Sequence, residues 1–331
     1  MKIVMFSTKE HDRRFFEEAN RGLGDQAHSI EYLDARLASA TTSLADGFDA
    51  VCVFVNDSLD ASVVSSLAEY GVKAIALRCA GFNNVDLKVA KQSGIHVVRV
   101  PEYSPHAVAE HSVALLLALN RQIHRAYNRV RDGDFRLAGL LGFDLFGKTV
   151  GVIGTGKIGR CVCRILSGFG CEVIASDPLQ HPECLQMGVE YTELSELFRR
   201  SRIVVLQCPL LPETHHLIDE AAIAKMPPDV MIINTSRGAV IDTRAVIEGL
   251  KRGRIGGLGI DVYEEEADLF FEDLSSTVIT DDVFARLLTF PNVIITGHQA
   301  FFTHEALDRI ASVTLQNLLD IEMGLACPNI A

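Results

Sequence analysis

The sequence predicts an α/β protein built from two doubly wound parallel sheets, one domain inserted into the other. Ten short apolar, β-branched runs alternate with helical patterns along the 331 residues, as expected of parallel strands covered by helices. Ten strands exceed one six-stranded unit, and at roughly 150 residues per domain the length suits two. A glycine-rich turn of the kind that opens a phosphate-binding helix follows a late strand, at Gly154, rather than the first. An α/β unit without a phosphate loop therefore precedes it.

Strands are expected over 3–6, 50–55, 74–77, 97–100, 149–153, 172–175, 203–206, 230–233, 257–260 and 293–296. Between the fourth and fifth, Pro101 and Pro105 stiffen the chain and break any helix; one long helix over 107–129 is predicted to follow, and the domain crossing is placed at the prolines. From Thr303 onward the chain reads as a single amphipathic helix with Ala306, Ile310, Val313, Leu315 and Leu318 on its apolar side. Having no strand of its own, that helix is expected to dock on the first domain. The expected division is thus residues 1–101 with 299–331 as one domain and 102–298 as the inserted one.

Composition narrows the function classes. With 48% hydrophobic and 22% charged residues the chain is expected to fold throughout. Its net charge of −12 repels polyanions, so neither nucleic acid nor an acidic membrane surface is an expected partner. The apolar run 113–119 is far shorter than the roughly 20 residues of a membrane span, and the N-terminus lacks the apolar core of a signal peptide. The eight cysteines show neither Cys-x-x-Cys nor a Cys/His metal spacing, which reads as buried free thiols in a reducing, cytoplasmic setting with no metal site.

The chemistry starts at Gly154. Gly154, Gly156 and Gly159 form Gly-x-Gly-x-x-Gly directly after one strand and at the start of a helix. The first glycine permits the turn, the second lets a pyrophosphate approach the backbone, and the third lets helix and strand pack closely. The next strand ends in Asp177, a carboxylate suited to ribose hydroxyls and repulsive to a 2′-phosphate, so NAD is expected rather than NADP.

Ligands of open parallel sheets sit beyond the carboxyl ends of the strands. Past three later strands come Thr235-Ser236-Arg237-Gly238, then Asp261 with the acidic run Glu264-Glu265-Glu266, then Gly297-His298-Gln299. An arginine, a carboxylate and a histidine at one edge suit hydride transfer to a 2-oxo acid. The guanidinium grips carboxylate and carbonyl oxygen; the histidine exchanges the hydroxyl proton, and the glutamate favours its charged form. The other ten histidines show no comparable setting: His111, His124 and His304 fall in helical patterns, and His215-His216 in a polar turn. In the first domain, the turn after residue 77 offers the backbone of Cys79, Ala80 and Gly81 as an anion nest, and Tyr103 adds a hydroxyl just past the crossing.

The chain resembles the D-isomer-specific 2-hydroxyacid dehydrogenase family over essentially its whole length. The resemblance is carried by ALRCAGFNNVD (76–86), VRVPEYSPHAVAEH (98–111), GKTVGVIGTGKIG (147–159), NTSRGAVID (234–242), DVYEEEADLFFED (261–273) and NVIITGHQAFFT (292–303). The Asp-Leu-Phe-Phe-Glu-Asp extension is similar to the bacterial fermentative lactate branch. The resemblance implies a Rossmann NAD domain inserted into a flavodoxin-like substrate domain. It implies Arg237, Glu266 and His298 as the catalytic set. NAD contacts are implied for Gly154, Gly156, Lys157, Ile158, Gly159, Asp177, Cys208, Pro209, Thr214, Thr235, Ser236, Arg237 and Asp261. Cys79, Ala80, Gly81 and Tyr103, together with Arg237 and His298, are implied for the substrate. A homo-oligomer, a dimer or a dimer of dimers, follows from the helix that begins near Ala107. Glu265 stands where the family often has Gly or Asn and adds a negative charge beside the proposed pair. The expected reaction is reduction of pyruvate by NADH; a branched 2-oxo acid, hydroxypyruvate or glyoxylate as substrate, or an NAD-sensing co-repressor role without turnover, are the alternatives.

Overall fold

The computed structural model describes residues 1–266, 269–271 and 273–331. Of the lactate-like extension, positions 267, 268 and 272 lie outside the described residues. The chain divides into two units, Met1–Ser104 with Phe301–Ala331, and Pro105–Ala300. The crossings fall a few residues beyond the expected 101/102 and 298/299. Pro105 is itself the first helical residue of the second unit, and the Ala300 N–H is held by Asp261 of that same unit at 2.8 Å.

The first unit runs β1 (Lys2–Met5), α1 (Glu10–Gly22), β2 (Ser29–Tyr32), β3 (Ala50–Val53), α2 (Ala61–Glu69), β4 (Ala74–Leu77), α3 (Leu87–Gln92) and β5 (His96–Arg99). Its sheet is ordered β2-β1-β3-β4-β5 with every described pairing parallel. β3 and β4 are buried at all positions, as a sheet covered on both faces requires. The edge strand β2, Ser-Ile-Glu-Tyr, has no apolar run and was not expected.

The second unit runs α4 (Pro105–Asn120), α5 (Ile123–Arg131), β6 (Thr149–Ile153), α6 (Lys157–Gly168), β7 (Glu172–Ser176), α7 (Pro182–Gln186), β8 (Glu190–Tyr191), α8 (Leu194–Arg200), β9 (Ile203–Leu206), α9 (Glu220–Lys225), β10 (Val230–Asn234), α10 (Thr243–Lys251), β11 (Ile255–Ile260), α11 (Asp282–Leu288) and β12 (Val293–Ile295). Its parallel sheet is ordered β12-β11-β10-β9-β6-β7-β8. β6 and β9 are therefore neighbours in the middle, and the loops after β9, β10, β11 and β12 stand side by side. Aspartates open several helices: Asp60, Asp86, Asp219, Asp242 and Asp281 each accept first-turn amides of the helix they precede. α4 packs Leu115, Leu116 and Leu119 into one face of the sheet, in a core shared with Val150, Val152, Val162 and Ile233.

The single helix expected over 107–129 is two. Asn120 ends the first by turning its side chain to the Phe143 backbone, donating to its oxygen at 2.7 Å and accepting from its nitrogen at 3.0 Å. Gln122 then adopts a left-handed φ of 50°, and α5, which buries no residue, begins after it.

Past the second unit comes α12 (His304–Glu322). Ala306, Ile310, Leu315 and Leu318 are buried beside Phe15 and Phe16 of α1 in the core of the first unit, and Val313 is half-buried at its rim. The expectation that the helix runs to the C-terminus, and that this segment makes no strand pairing, is corrected. Gly324, at φ 67°, stops the helix. Residues 329–331 run antiparallel along β5, where Arg99 N–H donates to Asn329 O at 3.0 Å and Ala331 N–H to Val97 O at 2.9 Å. β5 is an edge strand, and its open backbone groups take the tail as cover.

Candidate active site

The cofactor cradle is shaped by close approach. Gly154 sits at φ 92°, and a β-carbon there would lie 2.7 Å from the Cys208 backbone nitrogen; at Gly159 it would lie 2.0 Å from the Gly154 carbonyl oxygen. At Gly156 it would meet nothing within 4 Å. Gly156 is the N-cap of α6 and brings no side chain to its amides. Open space thus faces a helix N-terminus at the first turn, where Lys157 and Ile158 begin the helix, the room and polarity a pyrophosphate needs. The Asp177 carboxylate accepts the Thr155 N–H at 2.6 Å and the Leu179 N–H at 2.8 Å. It is thereby fixed beside the glycine loop with acceptor capacity left for a ribose. Tyr191 donates its hydroxyl to Thr155 at 2.9 Å and braces the same corner. These residues fit NAD.

Across the cradle, burial pushes the Cys208 thiol up to about 11, so it is a neutral wall. Pro209 is tied into a turn by Thr214, whose hydroxyl donates to its carbonyl at 2.6 Å and accepts from Leu211 N–H at 2.7 Å. Thr214 therefore closes its own loop. Thr235 is buried, with its oxygen 2.7 Å from that of Ser112 and 3.0 Å from the amide nitrogen of Gln207. Ser236 bonds to Asn234 through N–H at 3.0 Å and hydroxyl at 2.8 Å, and the Asn234 amide donates to Arg237 O at 2.9 Å. Fully buried Asn234 thus shapes the turn that presents Arg237.

His298 and Glu266 form a direct pair, Nδ1 to Oε1 2.8 Å. The other glutamate oxygen accepts the Tyr263 N–H at 2.9 Å. His298 itself has φ 53°. That conformation is held by the carboxylate of Asp261, which has no exposed surface and accepts Thr296 Oγ at 2.5 Å, Gln299 N–H at 2.9 Å and Ala300 N–H at 2.8 Å. The Asp261 carbonyl accepts the His298 N–H at 2.8 Å. Three protein donors occupy the Asp261 carboxylate, which makes it the anchor of the histidine turn.

The expectation that no other histidine has a comparable setting is corrected. His216 stands 2.7 Å from Glu264, and His111, on α4, lies 3.0 Å from Thr296 Oγ. Both partners are distant in sequence; the doubled acid two residues apart at 264 and 266 was the only local signal.

Cys79, Ala80, Gly81 and Tyr103 belong to the first unit. The three carbonyls are all turned into that unit: Cys79 O accepts Val100 N–H at 3.0 Å, Ala80 O accepts Arg99 at 2.9 Å, and Gly81 O accepts the Cys79 thiol at 3.2 Å. Tyr103 packs edge-on against Phe301 with ring centroids 6.1 Å apart. Among the described residues, no cluster of three His, Cys, Asp or Glu side chains is arranged to hold a metal ion, and no helix is long and apolar enough to cross a membrane.

Comparison with known proteins agrees with this geometry. The chain is 54% identical to the D-lactate dehydrogenase of Escherichia coli over 99% of both chains. The apo-structure of D-lactate dehydrogenase from Escherichia coli superposes with a TM-score of 0.92 at 51% identity, covering 100% of this chain and 99% of that one. The structure described as the pyruvate reductase of Chlamydomonas reinhardtii does so with a TM-score of 0.94 at 44% identity, over 99% and 98%. Residues 113–300 match the NAD binding domain of the D-isomer specific 2-hydroxyacid dehydrogenases. With the cradle, the Arg237 turn and the His298–Glu266 pair all on one edge of one sheet, the chain belongs to the D-isomer specific 2-hydroxyacid dehydrogenase family.

Proposed function

We propose that the protein is an NAD-dependent D-lactate dehydrogenase that reduces pyruvate to D-lactate. The observation that carries this reading is the 2.8 Å His298–Glu266 pair, set beyond the same strand ends as the glycine cradle. Similarity to D-lactate dehydrogenases over the whole chain supports lactate over other 2-hydroxy acids.

When bound, NADH supplies the hydride that reduces the substrate's C2. Arg237 offers the planar fork that binds a carboxylate and polarises the adjacent carbonyl. Glu266 fixes the His298 ring through Nδ1, so that Nε2 is the nitrogen that gives its proton to the forming alkoxide. Glu266 also stabilises the imidazolium while it waits. Gly154, Gly156, Lys157, Ile158 and Gly159 are assigned to the pyrophosphate, Asp177 to the adenosine ribose, and Cys208, Pro209, Thr214, Thr235, Ser236 and Asp261 to the walls and turns of the cofactor site. The backbone of Cys79, Ala80 and Gly81 and the hydroxyl of Tyr103 are assigned to the substrate carboxylate.

The setting we infer is cytoplasmic and fermentative; the eight free thiols support a reducing compartment. A homo-oligomer is supported by the exposed apolar side chains of Tyr127, Phe135, Leu137, Leu141 and Phe146 on α5 and the segment after it. The deciding experiment is NADH oxidation across a panel of 2-oxo acids with chiral analysis of the product. Pyruvate is expected to give the highest kcat/KM, with D-lactate as product; L-lactate, or a clear preference for a branched acid, would overturn the reading.

A further inference from the structure

The acids Glu264 and Glu266, two residues apart after β11, each take a histidine from a different loop. Glu266 takes His298, which belongs to the mechanism. Glu264 takes His216, whose Nε2 lies 2.7 Å from Oε1. His216 follows β9, and β9 and β11 flank β10 in the sheet. A bond from the β9 loop to the β11 loop therefore straddles the β10 turn, the one that carries Arg237.

Other contacts show that the strap is tight. A β-carbon on Gly238, next to Arg237, would fall 2.0 Å from the Tyr263 carbonyl carbon and 2.4 Å from the Glu264 nitrogen, so the 263–264 peptide rests directly on that turn. The second Glu264 oxygen accepts the Thr243 N–H at 2.9 Å and also the Thr243 hydroxyl, gripping the start of α10. On the far side, His216 has φ 51° and donates its N–H to Ala239 O at 2.8 Å, while Ile218 N–H donates to Val240 O at 3.1 Å. The His216 segment is thus laced to the continuation of the Arg237 turn. The neighbouring 262–263 peptide, on the other side of the Tyr263 α-carbon, holds Glu266 through the 2.9 Å bond from Tyr263 N–H. A shift of the Tyr263 backbone would therefore disturb both the Arg237 turn, through its carbonyl side, and the carboxylate behind His298, through its N–H.

We infer that Glu264 and His216 are positioning residues for the reduction, a strap that holds the Arg237 turn and the Glu266–His298 pair in one mutual geometry. The inference rests on the roles proposed for Arg237, Glu266 and His298. Glu264 is not itself a catalytic residue: a ring nitrogen, an amide and a hydroxyl already occupy its carboxylate.

The test compares the full-length wild type with Glu264→Ala, Glu264→Gln, His216→Ala and the double alanine variant, measuring kcat and KM for pyruvate and, by fluorescence, the Kd for NADH. Misplacement of reacting groups by about 1 Å costs on the order of 100-fold in rate, so Glu264→Ala is expected to lower kcat/KM for pyruvate by about that factor while the NADH Kd changes less than about threefold. Glu264→Gln is expected to restore most of the loss, because its amide oxygen still accepts from Thr243 and its N–H can still meet the imidazole. The double variant is expected to be no worse than Glu264→Ala, since the two side chains act as one unit. Glu264→Ala turnover within about threefold of wild type, additive losses, or a loss of NADH affinity equal to the loss of turnover would overturn the inference. If Glu264→Ala does not fold, His216→Ala carries the test, because its side chain is about one-third exposed. A loss of about fivefold or more with unchanged NADH Kd supports the strap, and wild-type turnover overturns it. A wild type that reduces no 2-oxo acid overturns the functional reading and the inference together, whereas an active wild type matched by these variants overturns the inference alone.

Discussion

His298 is held from three directions: by Glu266 at the ring, by the Asp261 carbonyl at its N–H, and by the Asp261 carboxylate at the two residues that follow. Such restraint suits the ring to the proton-donor role proposed for it. His298→Ala is expected to lower kcat by about 10²- to 10⁴-fold, the usual worth of general acid–base catalysis, with little change in the NADH Kd; steady-state kinetics with a binding titration checks both. Asp177 is a second residue whose proposed role can be tested separately. Its carboxylate is fixed by two backbone amides, so Asp177→Ser is expected to lower the ratio of kcat/KM with NADH to that with NADPH by about tenfold or more, as losing a charged hydrogen bond and a repulsion implies. Both residues were legible in the sequence because each sits at a fixed offset from a strand end. Asn234 and Asp261 as anchors were not, because their work is done on backbone groups that only the folded turn brings near.

Strands and helices with strong local signals form as expected: β4, β6 and β9 match their expected spans to the residue. The elements that were missed are those whose stability comes from neighbours. β2 and β8 are short edge strands without an apolar run, and the break between α4 and α5 exists because Asn120 prefers the backbone of Phe143 to another helical turn. The C-terminal tail is a further case. Asn317, buried on α12, donates to Arg99 O at 2.9 Å and accepts from Asn329 at 2.8 Å, linking the helix, β5 and the tail. Asn317→Ala is expected to destabilise the protein by about 1–3 kcal/mol, the cost of stranding buried polar partners, readable as a lower midpoint in urea.

Two properties belong to the whole molecule. Burial holds His28, His11 and His124 below the ordinary histidine range. With their folded values depressed, the unfolded chain takes up protons first as the pH falls through about 6.5. Stability is therefore expected to be full well above that pH and to decline as the pH falls from about 6.5 toward 5, with His28→Gln flattening the slope of Tm against pH. Association is the second property. Leu137 and Leu141 are 82% and 96% exposed, so replacing both with Ser is expected to shift the proposed oligomer toward monomer in light scattering without changing the far-UV spectrum.

What the sequence determined by itself is whatever a local backbone or a fixed offset demands: the apolar runs of the strands, glycine at a left-handed turn, aspartate before a helix, an acid at the end of the second strand of the cradle. From these follow the two doubly wound sheets, the cofactor and the three strand ends that carry Arg237, Glu266 and His298. The resemblance already joined Glu266 to His298, and only the tertiary structure decided that His216 and Glu264 also meet across those ends. The order β12-β11-β10-β9 sets four loops side by side and so pairs His298 with a glutamate 32 residues away and His216 with one 48 residues away. Such contacts depend on strand order and on the close approach that Gly238 permits, and neither leaves a periodic trace in the chain.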